Sequence, residues 1–447
     1  MKPRRIERIV KRDGTIVRHD PRRIQLAIFK ATQAIGKPDQ PFARKAARAV
    51  EAALLSTYGA HHPPTVEDVQ DVVERILIRL GAIAVARDYI IYRHQHALMR
   101  AARGQTFDVS DNVPYRKIYE VLRWNMDHQC DTVAGLNRLI ARGEYPALVA
   151  AANKRYEEEI QRAAAIILER RKDVRLVIVA GPSSSGKTTT TIKLSNILAA
   201  AGIGFRAINV DHYFFDLEKH PRDEFGDYDY EIPQALDLVL INRQLGQLLA
   251  GRVIKTPHYD FKTGKRTLNV HPFRLLKNEV LLIDSLHGLY DGMTRSVPAE
   301  AKFKLYIETL GQFRGTDNQF MRWADNRLLR RMIRDRDNRN QKPIETLTHW
   351  HYVRRSELTH IIPYQHNADY IVNTALPYEL PLLKQRLFKY IVKARNQFKD
   401  DPKRLDAHIR ANRVYDLLKP IRVVRNDASV PPDSLIREFI GGSCYKY

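Results

Sequence analysis

One short stretch limits the fold of this chain more than any other: residues 181–188 read Gly-Pro-Ser-Ser-Ser-Gly-Lys-Thr. An apolar run, 175–180, precedes it, and a stretch without glycine or proline, 189–201, follows it. This order predicts a buried strand, a phosphate-binding loop and a helix. The two glycines let backbone N–H groups turn inward, and the helix N-terminus adds partial positive charge. The sequence therefore predicts a binding site for a triphosphate.

Each part of this loop has an expected partner on ATP and Mg²⁺. Lys187 is expected to reach the β- and γ-phosphates, and the Thr188 hydroxyl is expected to bind the metal. Asp284 ends the apolar run 280–284 and is the candidate for a second metal ligand. The predicted ATP-binding residues are Gly181, Pro182, Ser183, Ser184, Ser185, Gly186, Lys187, Thr188 and Thr189.

Two further features favour phosphoryl transfer to a hydroxyl group over ATP-driven motion. Asp211 follows the β-rich run 205–210, and the carboxyl ends of parallel strands meet at one sheet edge, which makes it a candidate general base. Aromatic neighbours such as Tyr213 are suited to wall a substrate. Arg327, Arg331 and Arg334 share one helix face by their spacing and are candidate catalytic cations of a lid, with Lys187 beneath them. A helix cap at Asp211 and a solvated basic helix are the alternatives at this stage.

Several motifs together resemble one family. They are Gly181–Thr188, Asp211-His-Tyr213, Tyr259-Asp-Phe261, Asp284-Ser-Leu-His-Gly288, Arg327–Arg339 and Arg437-Glu-Phe-Ile-Gly-Gly-Ser-Cys444. This set is similar to the uridine kinase/phosphoribulokinase family, in particular to its bacterial uridine kinase-like branch.

The resemblance implies an ATP-dependent kinase with Asp211 as general base and with Glu231 and Tyr259 on the acceptor. The sequence departs from the family at 230–233, which read Tyr-Glu-Ile-Pro, and at Gly264, where uridine kinases have a base-reading histidine. Asp284 stands where many relatives have Glu. The acceptor therefore stays open among a uridine- or cytidine-type nucleoside, a sugar, a polyol and a sugar phosphate.

The front of the chain has a different pattern. Two short β-branched runs flank Asp13-Gly14, which predicts a hairpin. Four helices are predicted after it: one that starts at Pro21, one over about 41–57, one that Thr65 caps, and one over about 82–102. The segment 4–100 resembles an ATP-cone, the regulatory nucleotide-binding domain of ribonucleotide reductases. By this resemblance Lys11, Arg12, Arg23 and Thr65 would contact a second ATP or dATP, unless the cone has kept its fold and lost its site.

The expected fold class is α/β, with a P-loop-type parallel sheet covered by helices on both faces. A small, mainly helical cone domain precedes it in the chain. The predicted domains are 1–104 (cone), 105–172 (helical linker) and 173–447 (kinase domain with a helical C-terminal extension).

The net charge of +23 and the pI of about 9.9 suit anionic partners. They leave a nucleic-acid-associated P-loop ATPase as the alternative function, although no nucleic-acid-binding motif supports it. No apolar run is long enough for a membrane span. Cys130 and Cys444 match no disulfide framework, so a cytoplasmic location is expected. The expected partners are a small-molecule acceptor and further copies of this chain in a homo-oligomer.

Overall fold

A computed structural model describes residues 6–10, 16–58, 63–90, 113–221, 232–261, 263–401 and 404–446. The chain forms two compact units, residues 1–110 and 111–447. Each unit has its own buried core.

The first unit is a two-stranded hairpin followed by helices. Its elements are β1 (Arg8–Val10), β2 (Ile16–Arg18), α1 (Pro21–Ala34), α2 (Gln40–Thr57), α3 (Val66–Arg79) and α4, described over 83–90. The strands are antiparallel, as the sequence predicts, and the turn itself lies outside the described residues. Apolar residues at helical spacing, such as Ile24 and Ile28 of α1, form the core.

The second unit is built on a five-stranded parallel sheet. The strands are β3 (Leu176–Ala180), β4 (Gly204–Ile208), β7 (Glu279–Ser285), β8 (Lys302–Glu308) and β9 (Tyr370–Asn373). Their spatial order is β4-β7-β3-β8-β9, so the strand before the phosphate loop lies in the centre. All four strand pairs are parallel, and their carboxyl ends therefore share one edge.

Helices cover both faces of this sheet, as predicted. They are α5 (Tyr115–Asp127), α6 (Val133–Ala141), α7 (Tyr145–Glu169), α8 (Lys187–Ala200), α9 (Leu238–Leu249), α10 (Trp323–Asn338), α11 (Pro343–His360), α12 (Glu379–Gln397), α13 (Leu405–Leu418) and α14 (Arg437–Ile440). Alternate residues of β3 enter opposite cores: Val177 and Val179 pack on the α7 and α8 side, and Leu176 and Ile178 pack on the α9 side.

Two features of this unit go beyond the sequence prediction. The segment predicted as a helical linker contains an additional helix, α6, and side chains of α6 and α7 lie in the same core as the central sheet. A second hairpin, β5 (Ile254–Asp260) and β6 (Lys265–Phe273), pairs antiparallel outside the main sheet.

Within the described ranges, no helix combines the length and the apolar character that a membrane crossing requires.

Candidate active site

The loop 181–186 needs glycine at both ends. A Cβ on Gly181 would lie 2.2 Å from the backbone oxygen of Ile307 in β8, and Gly186 has a φ of +89°. Both positions therefore favour a residue without a side chain. Thr374, beyond β9, braces the loop because its hydroxyl donates to the Ser185 backbone oxygen at 2.5 Å. The loop geometry is fixed by packing on the neighbouring strands.

Lys187 is the first residue of α8 and reaches back over the loop. Its Nζ donates to the backbone oxygen of Gly181 at 3.0 Å. Burial lowers the pKa of Lys187, and the carboxylates of Asp284 and Glu438 oppose that shift. The ammonium group therefore lies at the mouth of the loop, within electrostatic range of two acids.

Asp284 and Asp211 stand at the carboxyl ends of adjacent strands. Val179 of β3 is in register with Asp284 of β7, and Ile283 of β7 with Ile208 of β4. Asp211 follows β4 in a short 3-10 turn, where the Asn209 side chain accepts from its N–H at 3.0 Å. The structure thus brings both acids to the edge that carries the phosphate loop.

Both acids are exposed to solvent, but neighbouring protein atoms exclude part of the water around each carboxylate. This desolvation raises the pKa of Asp284, while Lys187 lowers it. Desolvation also raises the pKa of Asp211, and His212 and Lys187 oppose the shift. The parallel register of β4, β7 and β3 places all three groups at the same edge of the sheet, because Lys187 begins the helix after β3.

The predicted arginine row meets the loop at a single residue. Arg327 Nη1 donates to the backbone oxygen of Ser183 at 3.3 Å. Arg331 Nη1 and Arg334 Nη2 donate to the Ser183 hydroxyl at 3.0 Å and 3.4 Å. The shared helix face is therefore confirmed, and it points at the phosphate loop.

The three arginines differ in how far their charge is already compensated. Arg327 is 1% exposed and pairs with Glu308 (2.9 Å) and with Glu357. Burial acts to lower its pKa, and the two carboxylates outweigh burial and raise it. Burial and the neighbouring Arg339 lower the pKa of Arg334 to about 10, although Asp335 opposes the shift. Arg334 thus remains charged at neutral pH among like charges.

The residues present fit a triphosphate with Mg²⁺. The hydroxyl oxygens of Ser184 and Ser185 are buried and have no hydrogen-bond partner among the described residues. Thr188 and Asp284 offer a hydroxyl and a carboxylate at the solvent-reached edge, and Mg²⁺ prefers such oxygen ligands. The cationic groups Lys187 and Arg334 supply charge of the sign that phosphates need.

Aromatic side chains line the region beside Asp211, at different depths. Tyr213 is buried, and its hydroxyl donates to Gln244 Oε1 at 2.6 Å, so it packs beneath the site rather than facing an acceptor. Tyr259 of β5 is also buried, with its ring 5.0 Å from that of Phe261. The Tyr259 N–H donates to His212 Nδ1 at 3.2 Å, which ties the β5–β6 hairpin to the Asp211 turn.

The remaining predicted residues lie elsewhere. Glu231, Lys11 and Arg12 are outside the described residues. Arg23 is exposed near the start of α1. Thr65 caps α3 in a capping box with Asp68, and it bridges to Val10 at the end of β1, next to the predicted nucleotide-binding pair.

Sequence reasoning assigned no role to Glu438, which the structure places at the start of α8. Its carboxylate accepts from the N–H and the hydroxyl of Thr189. A contact between residues 249 positions apart leaves no local signal in one sequence.

Comparisons with known proteins give the family of the second unit. Residues 176–378 match the model of the phosphoribulokinase/uridine kinase family. A uridine kinase from Deinococcus deserti is 30% identical over 183 residues, which are 41% of this chain and 80% of that protein. The chain belongs to the phosphoribulokinase/uridine kinase family. A uridine-cytidine kinase A from Dictyostelium discoideum is 28% identical over 167 residues, 37% of this chain and 29% of that protein.

The front of this family member has a separate relationship. Residues 7–98 match the model of the ATP cone domain. A vitamin B12-dependent ribonucleoside-diphosphate reductase from Mycobacterium tuberculosis is 40% identical over 97 residues. That match covers 22% of this chain and only 13% of the reductase.

Proposed function

We propose that this protein is an ATP-dependent kinase that transfers the γ-phosphoryl group to a hydroxyl of a small molecule. The observation that carries the proposal is that Lys187, Asp284 and Asp211 follow or end neighbouring parallel strands, so that all three lie at one sheet edge. A kinase needs a base for the hydroxyl of its acceptor, and Asp211 is an acid at the edge where the phosphates would lie. Family membership supports the same reaction class.

In this proposal each group has a separate task. The loop backbone and Lys187 bind and orient the phosphates, and Arg331 and Arg334 stabilise negative charge that develops during transfer. Asp211 accepts the proton of the attacking hydroxyl. Mg²⁺ at Thr188 and Asp284 would neutralise phosphate charge. Arg327, already paired with two carboxylates, supports the loop rather than meeting the phosphates.

The acceptor is proposed only as a class: a small hydroxylated molecule such as a nucleoside, a sugar, a polyol or a sugar phosphate. Gly264, where the resemblance puts a base-reading histidine, has a φ of +67°. A Cβ there would lie 2.8 Å from Leu217 Cβ. Because this backbone disfavours any side chain, a nucleobase would have to be recognised by other residues.

The cone is proposed to bind a second nucleotide, ATP or dATP, and to regulate the kinase unit. Lys11 and Arg12 follow β1 directly, and Val10 at its end bridges to Thr65. Cations beside a tight hairpin suit a triphosphate.

An acceptor panel with purified protein and MgATP tests the function. ADP formation is measured with pyrimidine nucleosides, inositols, pentose phosphates and glycerates, with Lys187→Ala as control. The proposal predicts that at least one acceptor class raises ADP formation well above the acceptor-free rate, and that the control does not respond. ADP formation independent of every acceptor would contradict it.

A further inference from the structure

A carboxylate from the far end of the chain lies on the helix that follows the phosphate loop. Glu438 Oε2 accepts hydrogen bonds from the Thr189 N–H at 3.2 Å and from the Thr189 hydroxyl at 2.7 Å. Thr189 is the third residue of α8, and the N–H groups of the first turn of a helix point out of its N-terminal end. Such N–H groups attract anions, and here the anion is a side chain of the same molecule.

Glu438 also lies among the charges of the proposed nucleotide site. It acts to raise the pKa of Lys187, Arg334 and Asp284, although desolvation is the larger influence on each. Its carboxylate is therefore within electrostatic range of two cations that the proposed function assigns to phosphates.

The segment that carries Glu438 is firmly packed. Leu435 lies against the loop, so that a Cβ on Gly186 would be 2.6 Å from Leu435 Cδ1. Arg437 Nη2 donates to the backbone oxygens of Asp427 and Val430 at 2.9 Å and 2.7 Å. Phe439 is buried under the guanidinium of Arg330, 5.2 Å from the ring centre. The contact with Thr189 is thus made by an anchored residue.

A role for Glu438 as a further metal ligand is not supported. In the part of the chain that the structure describes, no three His, Cys, Asp or Glu side chains are grouped so that they could hold a metal ion. Glu438 therefore does not complete a carboxylate set with Asp211 and Asp284.

A single N–H cannot donate fully to a carboxylate and to a phosphate at once, and two anions on one donor repel each other. Thr189 belongs to the predicted ATP-binding residues. We propose that Glu438 is an internal competitor of the nucleotide: its carboxylate covers the Thr189 N–H that a phosphate requires, and it must move away when ATP binds. This inference rests on the proposed function, because it assumes that the loop binds a triphosphate.

With such competition, the apparent affinity for ATP is the intrinsic affinity multiplied by the fraction of molecules in which the Glu438 carboxylate has left the Thr189 N–H. Glu438→Gln keeps the size of the side chain and removes its charge, and Glu438→Asp shortens its reach. Both variants are expected to bind MgATP and inorganic tripolyphosphate about tenfold more tightly than the wild type. Asp433→Asn is the matched control, because it removes a negative charge from the same segment. The Asp433 carboxylate pairs with Lys193 at 3.0 Å and not with Thr189.

Isothermal titration of the full-length proteins measures these affinities. The same substitutions in a Lys187→Ala background identify heat that comes from the cone. Tighter binding by Glu438→Gln or Glu438→Asp, absent from Asp433→Asn and from the Lys187→Ala background, supports the inference. Unchanged or weaker binding by the folded variants overturns it while the wild type still binds. If neither wild type nor variants bind at the loop, the proposed function itself fails.

Discussion

At the scale of single residues, the charged side chains of the proposed active site differ in how far neighbouring charges already compensate them. Asp211, Asp284 and Lys187 have pKa values displaced by desolvation, each against opposing charges. Groups with displaced pKa values at one edge are typical of functional sites. Arg327 is different, because two buried carboxylates pair with it.

The pKa of Asp211 gives a prediction for the pH dependence. A base must be ionised, and desolvation raises the pKa of Asp211 above that of an ordinary aspartate. The value of kcat/KM for the acceptor should therefore fall as the pH decreases, and it should begin to fall at a higher pH than an ordinary aspartate would give. The measurement is a pH profile at saturating MgATP, with ATP binding followed over the same range. A profile that stays flat down to the ordinary range of aspartate would contradict a role for Asp211 as base.

The arginine row predicts two kinds of defect. Arg327→Ala removes a buried cation from Glu308 and Glu357, and only Glu357 keeps a second arginine, Arg354. The variant should therefore destabilise the fold by about 3–5 kcal/mol. Arg331→Ala removes a contact with Ser183 and an ion pair with Asp335, but Asp335 keeps Arg339 and Thr346 as partners. This variant should lower kcat about 10²–10³-fold with a small change in stability. Urea unfolding and steady-state kinetics of both variants separate these outcomes. Equal effects on stability would show that the two arginines do not have different roles.

At the scale of elements, the central strand and the loop behind it carry the site. β3 is paired on both sides, by β7 and β8, and the loop packs directly on β8 through Gly181. The loop has little room to adjust because its neighbours are buried strands.

Gly181→Ala tests this rigidity. Its Cβ would meet the Ile307 backbone oxygen at 2.2 Å, so β8 or the loop must shift. We expect a loss of about 1–3 kcal/mol of stability and a large loss of ATP affinity. Gly246→Ala on α9 is the control, because its Cβ would meet nothing within 4 Å and alanine favours a helix. Thermal unfolding and ATP titration compare the two variants. Equal stability and equal ATP affinity would show that the phosphate loop is not held rigidly by β8.

Elements with strong local signals could be predicted from the sequence. One apolar run and one motif predict β3, the phosphate loop and α8. The hydroxyl of Thr65 and the acids that follow it predict the N-cap of α3. The β5–β6 hairpin was missed, because β6 is largely exposed and lacks an apolar pattern. The burial of Tyr213 and the contact of Glu438 with Thr189 depend on pairings between distant segments, which one sequence does not display.

At the scale of the whole molecule, the chain joins a kinase-family unit to a match for the ATP cone domain. If both units bind a nucleotide, as proposed, the two sites can influence each other only through a difference in binding free energy between two states. The net charge of +23 favours anionic ligands in general.

A full-length variant with Lys11→Ala and Arg12→Ala tests the regulation. If the cone binds nucleotide, the variant should lose the response of kinase activity to added dATP and keep its activity with ATP at the catalytic loop. Rates with and without dATP, at fixed MgATP and acceptor, measure this. A response equal to that of the wild type would contradict nucleotide binding by these two residues.

The proposed reaction transfers the γ-phosphoryl group to a hydroxyl, and Asp211 accepts the proton of that hydroxyl. ³¹P NMR of the products formed from MgATP and an accepted small molecule measures it directly, with wild type and Asp211→Asn side by side. The account predicts a phosphomonoester signal with the wild type, and its loss by about 10²-fold or more with Asp211→Asn while MgATP still binds. Inorganic phosphate as the only new product, formed at the same rate by both proteins, would contradict it.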